Sequence, residues 1–231
     1  MTERSAGAEN SASPWAIGTA SKLARRYLEA VRAADASGAY RIASDALAQG
    51  MTIPELYQRV ISPAMHEIGE LWAKGALTVA DEHQATALTH RVLAALRPPM
   101  RVEAVAGGQG GPAKRRAVLA TVEGERHALG LRMAADVLED AGFHAIYLGA
   151  DVPTDALLQA VESLSPDLLV LSATMPELGP RLEEVAEAVR QAHPRIGLLV
   201  GGQAATAVGG EETPVEDLKA LLERVAKPPQ V

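Results

Sequence analysis

The sequence predicts an α/β protein: an N-terminal four-helix bundle followed by a doubly wound parallel sheet. Two observations carry the prediction. Up to about residue 97, apolar residues recur only at helical spacing. Beyond residue 112, short unbroken apolar runs alternate with helical patterns. Unbroken apolar strands that alternate with helices belong to a parallel sheet covered on both faces. Gly107-Gly108-Gln109-Gly110-Gly111-Pro112 separates the halves and reads as a flexible linker.

The first helix is expected over about Trp15 to Ala34 and the second over about Ala39 to Ala48. The third opens at Thr52, where the threonine can cap, Pro54 fits the first turn and Glu55 completes a capping box. It continues through Leu56, Val60, Met65 and Ile68 to Trp72, and Gly75 ends it. The fourth spans about Val79 to Leu96. Short connections between such helices make an antiparallel bundle. In the second half, strands are expected at Val118 to Val122, Ala145 to Leu148, Leu168 to Ser172 and Ile196 to Val200. Helices at Leu131 to Ala141, Asp155 to Leu164 and Leu182 to Ala192 connect them, and a last amphipathic helix covers Pro214 to Val225. The organisation is therefore a disordered tail at 1–14, a helical cap at 15–100, a linker at 101–113 and a sheet domain at 114–231. Val102 to Ala106 is apolar, short and unassigned.

Composition narrows the function. Of 231 residues, 48% are hydrophobic but only 3% aromatic, so the core is aliphatic and each aromatic draws interest. A net charge of −7 speaks against general nucleic-acid binding, which needs a basic surface. The lack of cysteine removes disulfides, thiolate metal sites and cysteine nucleophiles. No apolar run reaches the ~18 residues of a membrane helix. Met1 to Ser13 lacks the apolar centre of a signal peptide, and a cytoplasmic location is expected.

Glu125-Arg126-His127-Ala128-Leu129-Gly130 lies where the first strand gives way to a helix. A histidine there projects from the carboxyl end of the sheet, where open α/β folds bind ligands. Glu125 can hydrogen-bond one ring nitrogen and leave the other free for a metal. Gly130 lets the helix begin close to a bulky ligand. Taken alone, His127 reads more simply as a capping or core residue, and Gly201-Gly202 as a strand-end turn. Their order with Ser172-Ala173-Thr174, each set ending a strand, reverses that weighing for His127. In the cap, Trp72 is followed after nine residues by Glu82-His83. One ends a helix and the pair begins the next, so all three can meet at one end of the bundle; the simpler reading is a core tryptophan beside a solvated Glu-His face. His66, His90, His144 and His193 read as structural or exposed, and Glu183-Glu184 as the wet face of a helix.

The set Glu125-x-His127-x-x-Gly130, Ser172-x-Thr174 and Gly201-Gly202 resembles the signature of the cobalamin-binding domain family, with Glu125 where Asp is usual. The resemblance runs from about Trp15 to Val225. It implies a flavodoxin-like, Rossmann-like domain and a cobalt corrinoid whose lower ligand is His127 in place of the cofactor's own benzimidazole base. Ser172 and Thr174 would line a slot for that base, Gly201 and Gly202 would leave room for its tail, and Arg126 falls within the cofactor-binding motif. The Trp72-x9-Glu82-His83 spacing resembles the cap of the CarH-like light-sensing branch. That resemblance implies Trp72 against the upper, adenosyl face, Glu82 bonded to the adenosyl group, and His83 as upper cobalt ligand after light breaks the Co–C bond.

The implied function is a photoreceptor module loaded with adenosylcobalamin, not an enzyme. It would signal through self-association or a protein partner, free-standing without a DNA-binding domain and away from membranes. The rival is a corrinoid shuttle protein of a methyltransferase system, which usually carries the Asp form of the motif. A domain for another nucleotide is disfavoured, because no Gly-x-Gly-x-x-Gly follows the first strand. One departure from the family stands out. Gly201-Gly202 runs almost directly into Ala207-Val208-Gly209-Gly210 and the last helix, so the crossover helix before a fifth strand is missing. Either that strand is absent or a short loop delivers it, and the space so opened could take a second chromophore such as a bilin.

Overall fold

A computed structural model describes residues 17–97, 115–207 and 214–226. The expected tail at 1–14, the linker at 101–113 and the segment Val102 to Ala106 lie outside the described residues. The helical half contains α1 (Ile17–Arg32), α2 (Ala36–Ala48), a composite third helix and α5 (Val79–Leu96). The composite runs through α3 (Ile53–Leu56), a π turn (Tyr57–Ile61) and α4 (Ser62–Ala73). Its start is the expected capping box: Glu55 donates its N–H to Thr52 Oγ1, and Thr52 donates its N–H to Glu55 Oε2. The π turn is a departure from the even helix the sequence suggested. Pro63 brings no N–H and crowds the carbonyl four residues back. A widened turn immediately before it absorbs that conflict. A second capping box, Thr78 with Asp81, opens α5.

The second half is a four-stranded parallel sheet of β1 (Arg116–Val122), β2 (His144–Val152), β3 (Leu168–Ser172) and β4 (Gly197–Gly201), in the order β2-β1-β3-β4. Four helices accompany it: α6 (Leu129–Asp140), α7 (Thr154–Leu164), α8 (Gly179–Ala192) and α9 (Leu218–Ala226). The pleat sends alternate residues to opposite faces. Val118, Ala120, Leu169 and Leu171 pack with Leu157 and Val161 of α7 and Leu182 and Val185 of α8. Ala117, Leu119 and Val170 pack with Leu131 and Leu138 of α6 and Leu221 and Val225 of α9. The fold class expected from the sequence is therefore the one observed. Among the described residues no crossover helix follows β4, as expected: a short 3-10 turn, Gln203–Ala207, stands there. The fifth strand shrinks, among the described residues, to one parallel bridge between Gly201 and Val215.

α6 joins the halves. Leu131 and Leu138 face the sheet, whereas Met133 and Val137 belong to the bundle core. A helix with apolar residues on both sides needs covering on both sides. Polar groups lock this contact. Tyr57 Oη donates to Asp136 Oδ2 at 2.9 Å, and Asp136 is 2% exposed. Arg97 donates to the Asp136 carbonyl, to Asp140 Oδ1 at 2.8 Å and to Glu139 Oε2 at 2.6 Å.

Candidate functional site

β1 ends at Val122 and α6 begins at Leu129, so the intervening turn lies at the carboxyl edge of the sheet. Glu125 in that turn is fully buried. Its Oε1 accepts the His127 backbone N–H at 2.7 Å and lies 2.6 Å from His127 Nδ1. Its Oε2 accepts the N–H groups of Thr174 at 2.6 Å and Met175 at 3.0 Å. A buried charge persists only when it is paired and hydrogen-bonded. Burial alone would push this carboxyl up. The backbone N–H groups of His127, Thr174 and Met175, with the His127 ring, outweigh it and hold the group below the ordinary glutamate range. The carboxylate thus fixes the proton on Nδ1 and turns Nε2 outward as a lone-pair donor. The imidazole side chain is 47% exposed, so that nitrogen is accessible.

Ser172 pairs with Thr121 on one side and Gly201 on the other, which puts the ends of three strands in one row. The Gly202 position cannot carry a side chain. Its φ is +90°, and a Cβ there would lie 2.1 Å from the Ala173 carbonyl oxygen. Gly201 is less constrained: such an atom would touch the Val215 carbonyl oxygen at 3.4 Å, an ordinary contact. Gly130 differs: a Cβ there would meet nothing within 4 Å, so the protein's own packing does not demand glycine. Arg126 is exposed. Glu125, His127, Ser172, Thr174, Gly201 and Gly202 are therefore gathered at one edge. Of these, Thr174 is engaged through its backbone N–H.

Trp72 lies in the last turn of α4 and is 40% exposed. Glu82 and His83 lie in the first turn of α5, across a five-residue connection. Glu82 Oε2 pairs with His83 Nδ1 and Glu82 Oε1 accepts from Thr86 Oγ1 at 2.7 Å. His83 is 74% exposed and Glu82 21%. Among the described residues, no hydrogen bond or ion pair links these three to the sheet-edge cluster. Arg97 contacts Asp136, Glu139 and Asp140 toward the end of α6, while His90, about two turns earlier on α5, feels the charge of Arg132. The two helices therefore run side by side in the same direction. At about 1.5 Å per residue, His83 stands roughly 10 Å above His90, and α6 starts only about 4 Å above Arg132. The first turn of α5 thus starts about one helical turn before the start of α6 along their shared direction. On α4, His66 Nε2 is 3.4 Å from Gln203 Nε2, just after the glycine pair. His90 is half-buried, and its imidazole is held below its usual range by burial and then by Arg132.

Three contributors were not visible in the sequence. Thr121 Oγ1 donates to the Glu125 carbonyl at 2.7 Å, Asp151 Oδ1 accepts the Gly124 N–H at 2.7 Å, and Thr86 steadies Glu82. Only Gly124, a turn residue with φ +89°, marks the place locally.

The B12 binding domain matches the chain twice, over residues 115–218 and, in a second form, over residues 23–97. This chain belongs to the B12-binding domain family. It is a cobalamin-binding protein, and both halves of the fold take part in the match. The chain is 34% identical over 150 residues to the HTH-type transcriptional repressor CarH of Myxococcus xanthus, covering 64% of this chain and 47% of the repressor. It thus spans about half the length of that relative. It is 27% identical over 180 residues to the trimethylamine corrinoid protein of Methanosarcina barkeri, covering 77% of this chain and 81% of that protein. In fold it is similar to the Methanosarcina barkeri monomethylamine corrinoid protein, with a TM-score of 0.68 at 16% identity over 89% of this chain and 97% of that one. No helix among the described residues is long and apolar enough to cross a membrane.

Proposed function

We propose that this cobalamin-binding chain is a light-responsive signalling module for adenosylcobalamin, with His127 as lower cobalt ligand and Trp72, Glu82 and His83 on the upper side. The observation that carries the cofactor assignment is the His127 ring, with Nδ1 held by a buried carboxylate and Nε2 left free. The empty space around a Gly130 Cβ supports close approach of a large planar group. Ser172, Thr174, Gly201 and Gly202 would receive the cofactor's displaced base and tail, with Arg126 at the rim.

When bound, adenosylcobalamin supplies a cobalt–carbon bond that visible light breaks. The chain's own residues do the rest. Glu125 keeps the His127 proton on Nδ1. Trp72 offers a broad apolar face to the upper group, and Glu82 offers a carboxylate already oriented by Thr86. His83, exposed and held only by its neighbour, is free to turn toward the upper cobalt position once that group leaves. The bundle and the sheet then have two packings, and the upper group biases between them. Self-association or contact with a protein partner would carry the signal.

The similarity to a trimethylamine corrinoid protein over 81% of its length favours a second reading, a corrinoid carrier that presents cobalt to a methyltransferase. In both readings the chain holds the cofactor and is not itself the catalyst. Size-exclusion chromatography of the adenosylcobalamin-loaded chain, in darkness and after green light, separates them. A light-dependent change in size or captured partner supports the sensor. Identical behaviour in both states, with methyl transfer to and from the loaded chain when a methyltransferase is added, supports the carrier.

A further inference from the structure

We propose that Asp151, at the end of β2, is the positioning residue that aims His127. The inference rests on His127 being the lower cobalt ligand. Its basis is an irregularity between β1 and β2. Ala120 pairs with Gly149 and Val122 with Val152, so Ala150 and Asp151 both stand opposite Thr121. A bulge of this kind bends a strand and re-aims what lies on it. Gly149 has φ +92° and Asp151 φ +55°, both in the left-handed region. Aspartate is one of the few side-chain-bearing residues that visit that region readily.

The bulge delivers two functional groups to the turn that carries Glu125. The Asp151 N–H lies 2.9 Å from both the Glu125 carbonyl and Thr121 Oγ1. The Asp151 carboxylate accepts the N–H of Gly124 at 2.7 Å. Gly124, with φ +89°, is the freest backbone unit of the turn, and this bond removes its freedom. The turn is then held from three strands: by Thr121 of β1, by Asp151 of β2, and through the Glu125 carboxylate by Thr174 and Met175 after β3. The Asp151 side chain is exposed and belongs to none of the apolar clusters, so it acts through its hydrogen bond and not through packing. Loss of that one acceptor leaves the fold standing but lets the Glu123–Glu125 turn move, and the imidazole moves with it.

Three variants separate the contributions. Asp151→Asn keeps an acceptor and tolerates the left-handed backbone. Asp151→Gly keeps the backbone without strain and loses the acceptor. Asp151→Ala loses the acceptor and adds strain. Each full-length chain is loaded with cobalamin and reduced to the cobalt(II) form, and the histidine-nitrogen hyperfine splitting is read by electron paramagnetic resonance. The cobalamin dissociation rate and the thermal midpoint without cofactor are measured alongside. Asp151→Asn is expected within about twofold of wild type in dissociation rate, whereas Asp151→Gly dissociates about tenfold faster or more, as for other residues that orient a metal ligand. Asp151→Gly should also show a mixture of histidine-bound and histidine-free signals with a near-wild-type thermal midpoint. Wild-type splitting and dissociation in Asp151→Gly would overturn the positioning role while leaving His127 as ligand. Absence of histidine splitting in the wild-type chain would overturn both.

Discussion

His127 and His83 each give Nδ1 to a glutamate, but the two glutamates differ in what holds them. Glu125 is fully buried and accepts three backbone N–H groups from two separate loops. Glu82 stands on an exposed helix end and is steadied by one threonine hydroxyl. The difference follows from the elements. A strand-to-helix turn in the middle of a parallel sheet is surrounded by neighbouring strand ends, so its polar groups converge. The first turn of a projecting helix has solvent around it. Under the proposed assignment, the lower histidine is thus held fast and the upper one is left movable. A light-responsive site needs that asymmetry: one ligand that stays while the other side changes.

The sharpest way to break this contrast is at Glu125. Glu125→Ala orphans the N–H groups of His127, Thr174 and Met175, and should destabilise the cofactor-free chain by about 3 kcal/mol in urea denaturation. His127→Ala should leave that stability nearly unchanged but weaken cobalamin about 100-fold or more, with a base-on absorption spectrum in any residual complex. A base-off spectrum of undiminished affinity in that variant would remove His127 from the site.

The glycines sharpen the same contrast between protein-imposed and ligand-imposed constraint. Gly202→Ala forces a Cβ against the Ala173 carbonyl at positive φ and should cost about 2 kcal/mol or more of stability. Gly130→Ala, entering open space, should cost no stability and yet weaken cobalamin binding. Titration provides a smaller effect. The Glu125 carboxyl is lowered in the folded chain, so its contribution is complete above the unfolded value near 4.3 and is lost as pH falls through the lower folded value. The stability gap between wild type and Glu125→Gln should accordingly be widest above about pH 4.3 and close on further acidification. Urea titrations at a series of pH values check it; a gap that widens in acid contradicts the sign. The smallest effect on stability is expected at the upper site. Trp72→Ala removes a side chain that is already 40% exposed, and it should permit photolysis while abolishing the light-induced change in size-exclusion profile.

Much of this was readable from the sequence, and what escaped has a common cause. The capping box at Thr52, the boundaries of α5, the four strands and the missing crossover helix all depend on neighbours in the chain. The Glu125–His127 bond does too, because its partners are two residues apart. What escaped is set by pairing across strands. Thr121 and Asp151 reach Glu125 and Gly124 only through the bulge of β2, and a bulge leaves little trace in a short apolar strand. β2 accordingly runs to Val152, beyond the expected Leu148, because Gly149 and Asp151, which read as strand-ending residues, sit in a bulge that stays paired with β1. His66 looked like an ordinary exposed histidine, and only the packing of α4 over the sheet edge brings it to Gln203. The π turn before Pro63 is a local response to the proline, and only the fold shows that its first residue, Tyr57, meets Asp136.

The central claim is that the lower histidine stays and the upper one arrives. Absorption spectra of the adenosylcobalamin-loaded wild type and His83→Ala, before and after green light, test it most directly. The account predicts identical dark spectra. After light, wild type should show a species with histidine nitrogen on both faces of cobalt, and His83→Ala should show water as the upper ligand. Indistinguishable light-state spectra for the two proteins would contradict it.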